Sequence, residues 1–534
     1  MSNKDSPTYD LLLSGGTLID GTGAPLRLAD VGVKGEQVVA IGDLGQREAR
    51  QRVDVSGLFV TPGFIDIHAH SEVALLIDPR AASKVHQGIT SDISGQCGLS
   101  AAPLVGQAME GFSVWSGRFG LEPSWSSLAE FLEVLENQGL ALNFGTLAGH
   151  GNLRNAAMGG AARSPTPSEQ SAMDRMLAQS LEEGALGLSS GLFYTPGSYA
   201  SPAELAALGE VVAKKGGLYA THIRNEGRRF KEAVEEALAV ARSSGVPVHN
   251  SHLKLASRDH WGQAEQWLAY LEAVRAEGID LSWDQYPYTA ASTTLDAAVP
   301  PQFHAGGSKA LLQRLQDPLE RTRIARAILS DTDSDWENLT VQSGWDNIVL
   351  SSHTSQPDLV GRTIADLAAA RQADPLEKAL DLILETEAQA LVVDFCMDSS
   401  DVATMLRHPS TMVVTDAEAL AIDGPLSMGT PHPRAYGTYP RILGRYVREQ
   451  ALLTWEEAIH KMTGQPAARM GLRDRGSVRE GAFADLVIFN PDTVADAATY
   501  SEPHQYPVGI QHVLVNGRFV IRDGVQTEEL PGHV

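Results

Sequence analysis

The sequence has few of the features that mark secreted, membrane or nucleic-acid-binding proteins. Only two of its 534 residues are cysteines, which excludes a disulfide framework in a chain of this length. Lys and Arg number 42 against 66 Asp and Glu, and the net charge of −24 opposes binding to phosphate backbones and anionic membranes. The polar first nine residues are followed only by the three leucines at 11–13, too few for a signal peptide or a membrane span. We therefore expect a cytoplasmic protein that binds neither nucleic acid nor membranes.

What the chain does have is apolar material and glycine: 43% of its residues are hydrophobic and 50 are Gly, as in an ordinary globular protein with a large core. Both ends of the sequence read as short strands with Gly turns, and Asn516-Gly517 lies between two apolar runs as in a type I′ hairpin. Chain termini often lie close together. We predict one small β-sandwich built from residues 1–61 and 476–534.

Between residues 62 and 475 short apolar strands alternate with helical stretches, the pattern of βα units around a parallel sheet. The predicted strands lie at 63–67, 90–94, 143–147, 185–188, 218–221, 247–251, 280–283 and 411–415. Eight such strands predict a TIM (β/α)8 barrel. The long interval before the last strand requires an insertion, and residues 290–350 are our candidate for an inserted lid subdomain.

Most of these strands end in a side chain that binds metals or moves protons. His68 and His70 follow the first strand and project to the same side, because side chains alternate along a strand. Four further candidates end other strands: Cys97, His222, His252 and Asp416. Strand ends of a TIM barrel converge on one face, and imidazoles with a thiolate favour Zn²⁺. A carboxylate completes either a ligand set or a base, although Asp416 could instead cap a helix beginning near residue 417.

Several motifs resemble the amidohydrolase superfamily and, within it, the N-acyl-D-amino-acid deacylases. They are TPGFIDIHAH at 61–70, GQCG at 95–98, GHGNLR at 149–154, GLFY at 191–194, THIR at 221–224, SHLK at 251–254, YPY at 286–288 and HPR at 432–434. The first motif marks only the superfamily, whereas the Cys97, Gly-His-Gly and Ser-His-Leu-Lys motifs together resemble the deacylases. The sequence Val414-Thr415-Asp416 departs mildly from the family pattern and leaves the carboxylate in place.

The resemblance implies a site without the carboxylated lysine of the hydantoinases, since residues 185–194 contain no Lys. It implies that Cys97, His222 and His252 hold one tight zinc ion, and that His68, His70 and Asp416 form a second, weaker site that is at most partly occupied. Asp416 is then the general base that becomes a general acid. The resemblance also gives a Lys, a Tyr and a hydroxyl residue the task of binding the substrate carboxylate, which we place on Lys254, Tyr286 and Ser292.

The predicted function is zinc-dependent hydrolysis of the amide bond of small-molecule N-acyl-D-amino acids, with the D preference resting on the resemblance alone. Alternatives are an amidohydrolase acting on a cyclic amide, a lactone or a dipeptide-like amide, and a non-catalytic scaffold that has lost its metal. The absence of Lys and Arg from residues 289–295 favours neutral over acidic substrate side chains, unless Lys309, Arg314 or Arg321 folds over the site. Arg224, Arg434 and His150 are open between site and scaffold roles, and the oligomeric state is left open.

Overall fold

A cylinder of parallel strands forms the centre of the molecule in the computed structural model, which describes residues 9–117, 119–330 and 336–534. All eight predicted barrel strands are present, the third being divided at Leu147: Phe64–Asp66, Ile89–Ser94, Asn143–Thr146 with Ala148–Gly149, Gly187–Gly191, Leu218–His222, Val248–Asn250, Leu281–Gln285 and Thr411–Val413. Neighbouring strands pair in parallel. The first and last strands also meet, because Ala69 bridges Ala417 and the Asp416 N–H donates to the His68 carbonyl over 2.9 Å. The TIM-barrel prediction is confirmed.

Helices surround the barrel strands and cover the outer face of the sheet. They are Glu72–Ile77, Ala82–Val85, Gln107–Gly117, Leu128–Gln138, His150–Met158, Pro167–Glu182, Pro202–Lys215, Phe230–Ser244, Ala264–Ala276, Ser399–Arg407, Arg434–Arg441, Trp455–Met462 and Gly464–Arg469. Local sequence sets several starts: Thr166 and Thr454 each form a capping box with the glutamate three residues later. No helix in the described ranges combines the length and the apolar character that crossing a bilayer requires.

Strands from both chain ends share one seven-stranded sheet, which packs with a four-stranded sheet over an apolar core. The larger sheet contains Val525–Gln526, Arg518–Arg522, Ile510–Val515, Leu486–Phe489, Phe59–Pro62, Thr17–Leu18 and Arg27–Leu28; the smaller contains Gln37–Gly42, Asp30–Lys34, Tyr9–Ser14 and Ala49–Asp54. Asn516 and Gly517 have φ angles of 48° and 77°, as the predicted type I′ hairpin requires. Residues 1–8 of the predicted first segment lie outside the described residues, and the domain limits at 61 and 476 stay a prediction.

The insertion before the last barrel strand has a core of its own and extends past the predicted limit of residue 350. Its antiparallel sheet contains Ala291–Thr294, Leu391–Asp394 and Ile348–Leu350. Its helices are Ser308–Gln316, Pro318–Leu329, Leu339–Gln342, Ile364–Ala369 and Pro375–Glu385. The strand Leu391–Asp394 lies in the middle of this sheet, so residues close to the end of the insertion hold its first strand in place.

Candidate metal centre

The six metal-ligand candidates meet at the carboxyl ends of the barrel strands. Their donor atoms fall into two overlapping groups, within which all lie within 4.8 Å of one another: His68, His70, Cys97 and Asp416; and Cys97, His222 and His252. Only His70 is partly exposed. Cys97, His252 and Asp416 have φ angles of 53°, 36° and 51°, a left-handed conformation that turns the chain sharply just after a strand.

The spacing of the donor atoms fits a zinc ion. Cys97 Sγ lies 3.4 Å from His68 Nε2, 3.4 Å from His252 Nε2 and 3.7 Å from His222 Nδ1. Sulfur and nitrogen ligands of a tetrahedral zinc ion are about 3.5 Å apart, given the usual Zn–S and Zn–N bond lengths. Burial opposes ionisation of Cys97, but the charges of His68 and His252 hold the pKa of this thiol well below its ordinary value. The thiolate form is the one that binds metal.

Asp416 is a buried carboxylate held between imidazoles and a guanidinium. Its Oδ1 lies 3.2 Å from His70 Nε2 and 3.4 Å from His68 Nε2, and its Oδ2 lies 2.8 Å from Arg434 Nη1. Burial alone would raise the pKa of Asp416, but Arg434 and the histidines lower it well below its usual value. Residues 417–423 are not helical, so Asp416 does not cap a helix there.

Lys254 is buried rather than placed on the rim, with 4% of its surface exposed. Its ammonium donates to both oxygens of Glu226, over 2.7 and 2.8 Å, and lies 2.8 Å from His252 Nδ1. Against the cost of burial, Lys254 and the neighbouring histidines lower the pKa of Glu226 to about 2. Lys254 therefore forms an ion pair with Glu226 and also contacts His252, a metal-ligand candidate.

Two groups that the sequence analysis missed support the ligand candidates: the carboxylate of Asp284 and a buried cluster around Lys84. Asp284, in the seventh barrel strand, lies 3.6 Å from His68 Nδ1, bonds His249 Nε2 over 2.7 Å and accepts the backbone N–H of His252. Such partners fix the orientation of a ligand imidazole. The sequence signal for Asp284 is its position at the end of a predicted strand, two residues before Tyr286.

The second missed group is a fully buried cluster around Lys84. The Lys84 ammonium lies 2.7 Å from Asp66, 3.2 Å from Asp92 and 2.8 Å from the Thr415 hydroxyl. This cluster ties the first and second barrel strands to Thr415, the residue before Asp416. Lys84 lies in a short helix, and nothing in the sequence around it indicated that it points into the barrel.

Two connected cavities open from the donor atoms. The smaller, about 150 Å³, is lined by the predicted substrate residues Lys254, Tyr286 and Ser292 together with Arg434. The Tyr286 hydroxyl is buried and has no hydrogen-bond partner among the described residues, and Arg434 lies 4.7 Å from the centre of its ring. The larger cavity, about 1550 Å³, begins at His70 and Asp416 and opens under the insertion. Phe193 stacks on His222 in the wall between them.

The other residues that the sequence analysis singled out do not contact the metal-ligand candidates in the contacts described above. His150 bonds Glu204 over 2.8 Å within a buried cluster, and Arg224 pairs with Glu236 in the wall of the larger cavity. Lys309, Arg314 and Arg321 line neither cavity, and Arg321 is paired with two helix carboxylates of the insertion. Cys396, the other cysteine, is buried in the wall of the smaller cavity.

Known proteins resemble this chain over almost its whole length. The model of the Amidohydrolase family matches residues 51–521. The chain is 39% identical to N-acyl-D-glutamate deacylase of Alcaligenes xylosoxydans xylosoxydans over 95% of this chain and 93% of that protein. It is 36% identical to D-aminoacylase of the same organism over 100% of this chain and 99% of that protein.

A solved structure supports the same assignment. N-acyl-D-glutamate deacylase from Bordetella bronchiseptica, complexed with zinc and a phosphonate that mimics the tetrahedral intermediate, superposes with a TM-score of 0.83. It is 36% identical in sequence, and the match covers 99% of each chain. These matches confirm the resemblance that the sequence motifs indicate. The chain belongs to the amidohydrolase family.

Proposed function

We propose that this protein is a zinc-dependent hydrolase that cleaves the amide bond of N-acyl-D-amino acids, releasing a carboxylate and a free D-amino acid. The observation that carries the proposal is the convergence of Cys97, four histidines and Asp416 at one end of the barrel. They form two groups, and within each group the donor atoms lie within 4.8 Å of one another. The printed activities of the relatives support the substrate class. All six donors are present, whereas a non-catalytic scaffold is expected to lack some of them.

The reaction divides between the metal and the protein. Bound zinc supplies a Lewis acid that polarises an amide carbonyl and makes water acidic enough to ionise near neutral pH. Asp416, kept as an anion by Arg434, accepts the proton of the attacking water and delivers it to the departing amine nitrogen. His70 and His68 hold its other oxygen at 3.2 and 3.4 Å, which fixes the direction of the proton transfer.

The smaller cavity supplies donors for the free carboxylate of the substrate. The unpartnered Tyr286 hydroxyl, the Arg434 guanidinium and the Ser292 side chain line it together. Lys254 adds a positive charge from behind, although Glu226 shares it. A cyclic amide or lactone offers no free carboxylate to these groups, so N-acetyl-D-methionine should be hydrolysed far faster than its methyl amide.

Metal content and stereochemistry test the proposal directly. The purified protein should contain about one zinc per chain and release amine from N-acetyl-D-methionine but not from the L form, measured with ninhydrin. Cys97→Ala should lose both zinc and activity. Cys396→Ala, the matched variant at the other cysteine, should keep its zinc. A protein that contains zinc and cleaves neither enantiomer contradicts the substrate class.

Asp416 is tested separately from the metal. Asp416→Ala should lower kcat by about 10²- to 10⁴-fold, the usual range for a lost general base, while the zinc of the tight site stays bound. Zinc analysis and steady-state kinetics on the same preparation check this. Loss of less than about tenfold would show that another group moves the proton.

A further inference from the structure

The part of the smaller cavity that the insertion forms is acidic. Asp394 ends the central strand of the insertion sheet and lines this cavity with 1% of its surface exposed. Neither of its oxygens has a partner of good hydrogen-bond geometry among the described residues, and its polar neighbour is the Ser343 hydroxyl, which carries no charge. A buried carboxylate without a partner is costly, so its presence beside a binding cavity points to a ligand that completes it.

A second buried carboxylate, Glu337, lines the same cavity. It accepts the backbone N–H of Glu226 over 2.5 Å, but neither Glu337 nor Asp394 forms an ion pair with a described residue. Burial raises the pKa of Asp394 to about 7 and that of Glu337 to about 8. The charge of Glu226 raises the pKa of Glu337 further, and the opposing effects of Gln342 and Lys254 on Glu337, and of Ser343 on Asp394, are smaller than that of burial.

The cations of this cavity are already engaged. Lys254 and Arg434 are the Lys and Arg residues among its described lining, and they pair with Glu226 and Asp416 over 2.7 and 2.8 Å. The three basic residues of the insertion that could have supplied a further cation, Lys309, Arg314 and Arg321, line neither cavity. An acidic substrate side chain would therefore meet two carboxyl groups and no free cation at the wall formed by the insertion.

We infer that this wall selects N-acyl-D-amino acids with a cationic side chain, such as D-lysine or D-ornithine, with Asp394 as the residue that receives the charge. The inference rests on the proposed function and specifies its substrate class. A cationic substrate would distinguish this chain from the relatives that are named N-acyl-D-glutamate deacylase, because the glutamate side chain is anionic. A charge pair in a desolvated cavity changes affinity far more than a pair at the surface.

Matched substrates test it. We would measure kcat/KM of the zinc-loaded enzyme for the N-acetyl derivatives of D-lysine, D-norleucine, D-glutamine and D-glutamate. Lysine and norleucine differ in charge at nearly constant length, as glutamate and glutamine do. We expect D-lysine to exceed D-norleucine by about tenfold or more, and D-glutamate to be the poorest of the four.

The variants assign the effect to Asp394. Asp394→Asn should lower the lysine-to-norleucine ratio of kcat/KM by about tenfold. Asp401→Asn is the control, because this aspartate is also buried but bonds the N–H groups of Gly262 and Ala264 and lines neither cavity, so the ratio should not change. Should Asp394→Asn fail to fold, Asp394→Ser carries the same expectation.

The outcomes separate the inference from the proposed function. Turnover of D-norleucine at least as fast as D-lysine, or an Asp394→Asn enzyme with an unchanged ratio, overturns the cationic preference and leaves the deacylase intact. Failure to hydrolyse any of the four substrates or N-acetyl-D-methionine overturns both.

Discussion

At the scale of single residues, the chemistry depends on side chains placed by unusual backbone angles and kept by buried partners. Cys97, His252 and Asp416 combine positive φ angles with almost complete burial. Non-glycine residues adopt this conformation at a cost, and such residues concentrate at functional sites. The buried charges around them come in pairs, so that removing one member of a pair exposes the other to an apolar surrounding.

The Lys254–Glu226 pair should therefore contribute to stability as well as to substrate binding. Lys254→Met leaves Glu226 buried without its cation and should lower the free energy of unfolding by about 3–5 kcal/mol. Adding Glu226→Gln should recover much of that loss. Urea denaturation of the single and double variants measures the difference, and a single variant as stable as the parent protein would show that the pair is energetically neutral.

Asp394 gives a pH-dependent prediction. Its pKa of about 7 in the folded protein exceeds its ordinary value of 3.8, so the native state binds more protons between these pH values. Stability from this group is present below pH 4 and is lost as the pH rises through 7. Asparagine does not ionise, so Asp394→Asn does not lose stability in this way. The Tm of this variant minus the Tm of the parent protein should therefore be larger at pH 8 than at pH 5. An equal Tm difference at the two pH values contradicts the shifted pKa.

At the scale of elements, close packing of strand ends positions the donor atoms. Gly191 ends the fourth barrel strand, and a Cβ added there would lie 2.1 Å from the carbonyl oxygen of Cys97. Because the clashing atom belongs to the backbone and not to a flexible side chain, the turn at Cys97 would have to move to accommodate a methyl group. The end of the fourth strand therefore positions the Cys97 turn through the absence of a side chain at Gly191.

Gly191→Ala should consequently weaken metal binding without removing any donor. We expect less zinc per chain after dialysis against a mild chelator, because the Cys97 thiolate is displaced. Gly45→Ala is the control, since a Cβ at that position would approach only the Asp43 side chain, at 3.8 Å. Equal zinc retention by the two variants would show that the strand adapts to the added methyl group.

At the scale of the whole molecule, a buried hydrogen-bond cluster joins the barrel to the terminal sheets. Asn143 of the third barrel strand bonds Asp485 over 3.2 Å, and Asn516 of the hairpin bonds Asn143 over 2.8 Å. The Asn516 N–H donates to Asp485 over 2.8 Å. The Asn143 side chain bonds both other side chains, and the backbone of Asn516 closes the cluster, so the sheets and the barrel should unfold together.

Asn143→Ala removes the side chain that bonds Asp485, Asn516 and the backbone N–H of His533, although Asp485 keeps its bond from Arg475 and Asn516 keeps its bond to the Pro531 carbonyl. We expect a loss of about 1–3 kcal/mol in the free energy of unfolding. Asn137→Ala, on an exposed helix position, should have almost no effect. Two separate unfolding transitions in the parent protein would contradict the coupling between sheets and barrel.

The sequence by itself determined the eight barrel strands, the shared terminal sheet, the hairpin at Asn516 and the six donor residues. These depend on local patterns: alternation along strands, turn residues with positive φ, and reactive side chains at strand ends. Only the tertiary structure decided that Lys254 is paired with Glu226, that Arg434 holds Asp416, and that Lys84 and Asp284 support the centre. The position of Asp394 in the wall of the smaller cavity also became evident only from the tertiary structure. Contacts between residues far apart in the chain have no local signature, because burial and pairing of charges depend on which elements the fold brings together.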